Sequence, residues 1–219
     1  MKTTLHMLAT LVVAGTLAGG SLSLVNGWAD PLIQANQARA RDEAIGFLVP
    51  GGTPEQVVDQ AGLTAWRVTA DGATSGWVLR CSGAGFQDKI DLMIALDPGR
   101  EEIRGLKVLG DSETPGLGTW IRLSAEHEQA LAAAADRNLG AAADDAKNFP
   151  LQFFGWGDGR RLSAAGDLVV VKGKKRSALG ETEVQAITAA TISSKAVVQI
   201  VNDAVTRLNA VLAEPGGAS

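Results

Sequence analysis

The sequence predicts an α+β protein, with a single N-terminal transmembrane helix followed by one domain in which helices flank an antiparallel sheet. Three observations predict this class. Residues 5–28 are uncharged and mostly apolar, apolar residues alternate over 90–96 as in a strand, and they recur every three or four positions over 197–212 as in an amphipathic helix. The chain has 219 residues, 46% hydrophobic and 20% charged, which is sufficient for a packed core.

The N-terminal segment is long enough to span a membrane. No Asp, Glu, Lys or Arg lies between Lys2 and Asp30, and the 24 residues of 5–28 would form a helix of roughly 36 Å, against about 30 Å of hydrocarbon. A cleaved secretory signal is the alternative, because 8–18 resembles its apolar region and Gly27-Trp28-Ala29 has the form of a cleavage site. The uncharged run continues well past such a region, which favours a retained anchor.

Four segments follow from this interpretation. Lys2 and the amino terminus place the N-terminal end in the cytoplasm, a bias that Arg39 and Arg41 weaken. The predicted segments are a cytoplasmic N-terminus (1–4), an anchor helix (5–28), a juxtamembrane helix after Pro31 at the membrane exit (29–48) and the folded domain (49–219).

Local signals predict the elements of the domain in order. Pro50-Gly51-Gly52 ends the first helix. Thr53, Pro54 and Gln56 have the pattern of a capping box, which predicts a short helix through Gln60. The other predicted elements are a hairpin of 66–69 and 77–81 around 71–76, strands 90–96 and 103–109 joined by a turn at 97–100, a helix 124–136 capped by Ser124, a strand 168–171, and a last helix that reaches about Leu212.

Composition excludes several classes of function. The net charge of −4 and the lack of a basic stripe argue against nucleic acid. Cys81 is the only cysteine, and His6 and His127 lie in unrelated settings, so we expect no metal centre. No Ser/His/Asp or Cys/His set can be assembled, so we expect no catalytic side chains of a self-contained hydrolase.

A run of small and hydroxyl residues, Thr188-Ala189-Ala190-Thr191-Ile192-Ser193-Ser194, opens the last helix; we call it the 188–194 turn. Backbone N–H groups and the positive end of the helix dipole converge there, which suits a phosphate. Thr191 would present its hydroxyl at this junction, with Ser193 or Ser194 as the cap. The alternative is that these residues only cap the helix.

Glu113-Thr114-Pro115-Gly116-Leu117-Gly118, which we call the 113–118 loop, is the second motif. Pro115 stiffens its entry, and Gly116 and Gly118 let the backbone lie flat against a planar ring. Alone, such a loop is more often an ordinary tight turn. Together with the 188–194 turn it becomes a candidate cofactor wall.

Both motifs resemble those of one family, the FMN-binding subunits of the Rnf ion-translocating electron-transport complex (RnfG, also RsxG) and of the Na⁺-translocating NADH:quinone reductase (NqrC). In that family the pattern D-x-x-[ST]-G-A-T-x-[ST] carries FMN, bound through its phosphate to the last Thr of the GAT triplet. Thr188, Ala190, Thr191 and Ser193 match this pattern. The 113–118 loop is similar to the ETPGLG loop of the same family, and the resemblance covers most of the chain from about Ala29.

The resemblance implies an extracytoplasmic FMN-binding domain on the periplasmic side of a bacterial inner membrane. It implies a redox subunit, not a stand-alone enzyme, that relays electrons between ferredoxin and NAD in an Rnf-type complex coupled to ion transport. Implied partners are iron–sulfur, flavin and integral membrane subunits, and an FMN transferase that uses FAD. The implied cofactor-binding residues are Thr191 as the FMN phosphoester, Thr188, Ala190, Ser193 and Ser194 at the phosphate, Thr114, Leu117, Gly118 and Thr119 along the ring, and Glu113 to orient the loop or hydrogen-bond the flavin.

A literal GAT triplet, Gly72-Ala73-Thr74, lies in the predicted hairpin, but no helix follows it, so we expect Thr191 and not Thr74 to carry the flavin. The chain departs from the family pattern at two positions. Gln185, before the 188–194 turn, stands where Asp is usual, and Ala189, within the turn, stands where Gly is usual. They favour one alternative, a flavin-free assembly or structural subunit. Cleavage of the N-terminal segment would favour another, a secreted module that binds a peptide or polysaccharide.

Overall fold

The computed structural model describes residues 2–134, 146–155, 160–174 and 178–213. The chain divides into two units, Met1–Glu43 and Ala44–Ser219. The first helix, α1, covers Lys2–Leu48 and contains Pro31 in its interior. It is long and apolar enough to cross a membrane, and none of its most apolar stretch is buried. It is therefore compatible with a single-pass membrane anchor, while the boundaries predicted at residues 28 and 48 stay predictions.

An antiparallel sheet forms the centre of the second unit, as predicted. Its six strands lie side by side in chain order, and a separate pair of short strands is parallel. The six strands are β1 (Thr53–Gln60), β2 (Leu63–Ala70), β3 (Ala73–Ala84), β4 (Lys89–Leu96), β5 (Glu102–Gly110) and β6 (Leu162–Ser163). The parallel pair is β7 (Val169–Val171) and β8 (Glu183–Gln185). The further helices are α2 (Ala125–Ala133), α3 (Thr191–Ala213) and the 3-10 helices Gly118–Ile121 and Ala146–Phe154.

The helix predicted for Thr53–Gln60 is wrong, because this segment is the edge strand β1. It pairs with β2, and Pro54 lies opposite Val68. An edge strand tolerates proline, since one side of its backbone has no sheet partner. Val58 is buried at 4% exposure. Pairing with the neighbouring strand therefore overrides the local capping pattern.

The predicted hairpin is confirmed, with a tighter turn than expected. Ala70 pairs with Ala73, so only Asp71 and Gly72 form the loop. Both have positive φ, 52° and 80°, which is the geometry of a type I′ turn. Thr74 lies within β3 and pairs with Thr69.

Helices cover both faces of the sheet. A Cβ at Gly83 would meet Ile200 of α3, and one at Gly76 would lie 3.4 Å from Val49, which follows α1. Because side chains alternate along a strand, positions seven residues apart face opposite sides. The predicted apolar face of α3 is confirmed: its buried residues include Val197, Val198, Val201, Ala204, Val205 and Leu208.

The Ser124 cap is also confirmed, because its Oγ accepts a hydrogen bond from the His127 N–H at 3.1 Å. Its helix, α2, ends at Ala133, and the last two residues of the predicted helix lie outside the described residues. The 113–118 loop leaves the end of β5, as expected, and α3 begins at the 188–194 turn. The sheet and α3 thus bring the two motifs into one unit.

Candidate functional site

The two motifs meet through a buried hydrogen bond. Ser193 Oγ donates to Glu113 Oε2 at 2.5 Å, although the two residues are 80 positions apart in the chain. Glu113 is 3% exposed and Ser193 is 2% exposed. The structure therefore joins the 113–118 loop to the first turn of α3.

Glu113 also connects a third segment, the turn between β3 and β4. Its Oε1 accepts the Phe86 N–H at 2.6 Å and the Gln87 N–H at 3.4 Å. Protein donors therefore engage both carboxylate oxygens. Of the two roles expected for Glu113, this geometry supports orientation of the loop.

Two glycines make room for this carboxylate. A Cβ at Gly118 would lie 2.7 Å from Glu113 Oε2 and 2.9 Å from Ser193 Oγ, and a Cβ at Gly85 would overlap Glu113 Oε1. Side chains at either position would displace the carboxylate from its donors. Gly85 and Phe86 are not among the predicted site residues, and the glycine is the one local signal for this third segment.

The 188–194 turn has a left-handed residue at its centre. Ala190 N–H donates to Ile187 O at 3.1 Å, which closes a four-residue turn. Ala189 has φ +67°, a conformation that glycine adopts at much lower cost. The position where the family pattern has glycine is thus one where the backbone of this chain favours glycine.

The expected cap by Ser193 or Ser194 is wrong, because both serines lie inside α3, which already begins at Thr191. Ser194 Oγ donates to Ala190 O at 3.0 Å and accepts the Ile187 N–H at 2.9 Å. Both serine side chains are buried and engaged within the protein. Their hydroxyls hold the turn and the loop in place.

The first helical hydrogen bond of α3 runs from Ser194 N–H to Ala190 O. The N–H groups of Thr191, Ile192 and Ser193 precede it, and such first-turn donors have no partner within their own helix. Thr191 is half-buried at this end. The end of α3 therefore presents one hydroxyl together with the donors that suit an anion.

Internal hydrogen bonds fix the 113–118 loop. The N–H groups of Leu117 and Thr119 donate to Thr114 O at 3.1 and 3.3 Å. Thr114 Oγ1 accepts from Gln87 Nε2 at 2.8 Å, and Thr119 Oγ1 accepts the Gly116 N–H at 3.1 Å. Leu117 remains 42% exposed. Thr119 also lines a cavity of about 670 Å³ that reaches the start of α2.

Gln185 is the last residue of β8 and lies three positions before the 188–194 turn, and its backbone and side chain differ in how their hydrogen bonds are satisfied. Its N–H donates to Gln152 Oε1 at 2.7 Å, and Gln152 Nε2 donates back to Gln185 O at 3.1 Å. Its own side-chain oxygen is buried without a hydrogen bond within the described part of the chain. The backbone of β8 is thereby held to the 3-10 helix at 146–154.

Two ionisable groups of the second unit, Cys81 and Glu183, have shifted pKa values with different causes. Burial raises the pKa of the Cys81 thiol far above its ordinary range, with the Asp91 charge as a smaller cause, so this cysteine is a core residue. A hydrogen bond from Lys174 lowers the pKa of Glu183, helped by the Gly180 N–H. No group of three or more His, Cys, Asp or Glu residues fit for a metal ion occurs in the described ranges.

The profile of the FMN-binding domain family matches residues 85–206, more than half of the chain. The chain therefore belongs to the FMN-binding domain family. The match contains the β3–β4 turn, the 113–118 loop and the 188–194 turn.

Two solved structures are similar to this chain. NqrC of Shewanella oneidensis shares 19% identity at a TM-score of 0.45, over 67% of this chain and 61% of that one. A subunit of the Na⁺-translocating NADH-quinone reductase of Parabacteroides distasonis shares 20% identity at a TM-score of 0.42, over 70% of this chain and 64% of that one. The chain thus covers less than two thirds of either protein. No curated protein matches it.

Proposed function

We propose that the chain is a membrane-anchored flavoprotein that carries electrons within a larger membrane complex, through FMN esterified by its phosphate to Thr191. One observation carries this proposal. The hydrogen bond between Ser193 and Glu113 joins the 188–194 turn and the 113–118 loop inside the region that the FMN-binding domain family matches.

The residues present fit FMN. The phosphate requires a hydroxyl for the ester and donors for its remaining oxygens, and Thr191 with the first-turn N–H groups supplies both. Thr188, exposed beside this helix end, adds a second hydroxyl, and Ala190 shapes the turn. Along the ring, Thr114 and Leu117 belong to the 113–118 loop, and Gly118 and Thr119 begin the 3-10 helix that follows it. Hydrogen bonds to Thr114 O and Thr119 Oγ1 keep this stretch in one shape.

FMN supplies the redox chemistry when bound, and the protein binds and orients it. The esterification conserves every atom if an FMN transferase uses FAD as the donor. Thr191 Oγ forms the bond to phosphorus, the pyrophosphate bond of FAD breaks, and AMP leaves with the hydroxyl proton. An ester at the first residue of α3 would keep the flavin attached to the protein. On a domain outside the cytoplasm, lost FMN would be hard to replace. The ester would also restrict the distance between donor and acceptor.

The proposed setting is an Rnf-type or related complex in a bacterial inner membrane. Residues 1–4 would be cytoplasmic, 5–28 would span the membrane, and 29–48 would lead to an FMN-binding domain on the periplasmic side. Iron–sulfur, flavin and integral membrane subunits would be the partners, in electron flow between ferredoxin and NAD coupled to ion transport. The long apolar part of α1 and membership of the FMN-binding domain family support this setting.

Intact-protein mass of material from the native host tests the proposal. We expect the mass of one FMN less one water in the wild type and in Thr74→Val, and its loss in Thr191→Val. Valine has nearly the shape of threonine but no nucleophilic oxygen, and it suits a strand such as β3. Loss of the added mass in Thr74→Val with retention in Thr191→Val would show that the assigned residue is wrong.

A second candidate is a flavin-free assembly subunit. The observation that favours it is Ala189, which has φ +67° where the family pattern has glycine. A denatured gel band of the native protein decides between the two. Fluorescence under ultraviolet light means covalent flavin, and its absence in fully matured protein means the flavin-free subunit.

A further inference from the structure

Three large apolar side chains lie exposed on the folded unit near Glu113. Phe86 and Ile192 are each 57% exposed and Leu117 is 42% exposed. In the described part of the second unit, only one other large apolar residue, Val169 at 49%, is comparably exposed. Exposed apolar groups that cluster mark binding surfaces more often than isolated ones do.

The Glu113 carboxylate lies next to the backbone beside each of these three side chains. Phe86 donates its own N–H to Oε1 at 2.6 Å. Ile192 immediately precedes Ser193, which donates to Oε2 at 2.5 Å, and Leu117 precedes Gly118, whose missing side chain leaves room for the same oxygen. One buried carboxylate therefore hydrogen-bonds beside Phe86 and Ile192 and lies against the backbone beside Leu117, so the three residues surround a single point.

We infer that Phe86, Leu117 and Ile192 form a platform for the isoalloxazine ring of the flavin, an assignment that rests on the proposed ester at Thr191. The ring is planar and largely apolar, and an aromatic side chain such as Phe86 packs favourably against it. Ile192 is the residue next to the attachment point, and Leu117 lies on the loop that Glu113 joins to the same helix turn.

The tether selects the flavin as the occupant of this platform. A ring attached one residue from Ile192 is always at high local concentration there, so a weak apolar contact suffices to hold it. Glu113 is then a positioning residue, because its two oxygens are engaged by protein donors and its side chain is 3% exposed. It acts on the ring only through the segments that it holds.

Iodide quenching of flavin fluorescence in the full-length matured protein tests the platform. The variants are Phe86→Ala, Ile192→Ala and the double variant, with Phe86→Tyr as a conservative replacement. Val169→Ala is the matched control, since Val169 is an exposed apolar residue whose neighbour Leu168 bonds Asn202, about 15 Å along α3 from Ile192. All are surface changes that leave the buried core intact.

In the wild type we expect iodide to reach the ring less readily than it reaches free FMN. Phe86→Ala should raise the accessible fraction, by roughly two- to tenfold in the ratio of undocked to docked ring, the range of one aromatic contact. Ile192→Ala and the double variant should also raise it. Phe86→Tyr and Val169→Ala should match the wild type, and every variant should keep the mass of FMN less water.

Two outcomes would overturn the inference in distinguishable ways. Equal quenching in the wild type, the double variant and free FMN, with the added mass present, would leave the ester and remove the platform. The three side chains would then be contacts for another protein. A wild type without the added mass would remove the proposed function and the platform together.

Discussion

Two regions of this molecule carry nearly the same tripeptide, Gly72-Ala73-Thr74 in the hairpin and Ala189-Ala190-Thr191 before α3. The first residue of each has a left-handed backbone, with φ +80° at Gly72 and +67° at Ala189. The chain that follows is different. Thr74 continues into β3 and faces Thr69 across the ladder, whereas Thr191 begins a helix of 23 residues.

The comparison shows that nearly the same three residues can begin with a left-handed backbone in both places, yet they do not by themselves form a phosphate site. In a strand, backbone N–H groups alternate in direction and bond to a neighbouring strand. At a helix start several N–H groups point the same way without a partner in that helix. The second region also has Glu113 beside it, which ties its first helical turn to two other segments. The prediction that Thr191 carries the flavin therefore depends more on the helix that follows, α3, than on the triplet itself.

The largest expected effect on the free energy of unfolding comes from replacing Glu113. This residue most clearly distinguishes the surroundings of Thr191 from those of Thr74. Glu113→Ala leaves the part-buried Phe86 N–H and the buried Ser193 hydroxyl without their acceptor. We expect a loss of about 3 kcal/mol in the free energy of unfolding. Chemical denaturation in detergent, followed by tryptophan fluorescence, measures it.

Two further variants sharpen the Glu113 result. Glu113→Gln keeps the shape and one acceptor oxygen, so we expect a smaller loss, about 1 kcal/mol. Glu101→Ala removes an exposed glutamate and should change stability by less than about 0.5 kcal/mol. If Glu113→Ala behaved like Glu101→Ala, the carboxylate would not hold the three segments together.

A smaller effect with opposite signs is expected from exchanging the first residues of the two triplets. Gly72→Ala should cost about 1 kcal/mol, because it forces a side chain into a left-handed turn. Ala189→Gly should stabilise by roughly 0.5 kcal/mol, since the relief of strain exceeds the added chain entropy of glycine. Thermal unfolding of both variants measures the contrast, and a loss of stability in Ala189→Gly would contradict the backbone argument.

The smallest effect concerns the ion pair at β8, the strand that leads to the 188–194 turn. Lys174 Nζ lies 2.6 Å from Glu183 Oε2, and this contact is the main cause of the lowered pKa of Glu183. Because the folded pKa is lowered, the pair stabilises the protein above the ordinary carboxyl pKa of about 4.3, and this stability is lost as pH falls through the lowered value.

Lys174→Ala should move the Glu183 pKa back towards its ordinary value, which a carboxyl NMR titration would report. Its stability difference from the wild type should be present at neutral pH and disappear in acid. Lys172→Ala, a neighbouring lysine substitution, serves as the control and should leave the titration of Glu183 unchanged. An unshifted titration in Lys174→Ala would show that the ion pair does not control this carboxylate.

Periodic and turn-forming segments were predictable from the sequence because their causes are local. The alternation along β4, the Asp71-Gly72 turn, the Ser124 cap and the apolar face of α3 all depend on residues a few positions apart. The Thr53–Gln60 helix failed because pairing with β2 outweighed a local pattern. The cap by Ser193 or Ser194 failed because α3 begins before both serines, and their hydroxyls bond to Glu113 and to the 188–194 turn.

By itself, the sequence determined that an uncharged apolar segment precedes an α+β domain, and that two motifs of one family occur in order along it. Only the tertiary structure decided that Glu113 accepts hydrogen bonds from Phe86, 27 positions away, and from Ser193, 80 positions away. The spacing of residues along the sequence predicts which of them are neighbours within a helix turn or a pair of strands. Contacts over such separations depend instead on the register of the whole sheet and on where α3 packs against it.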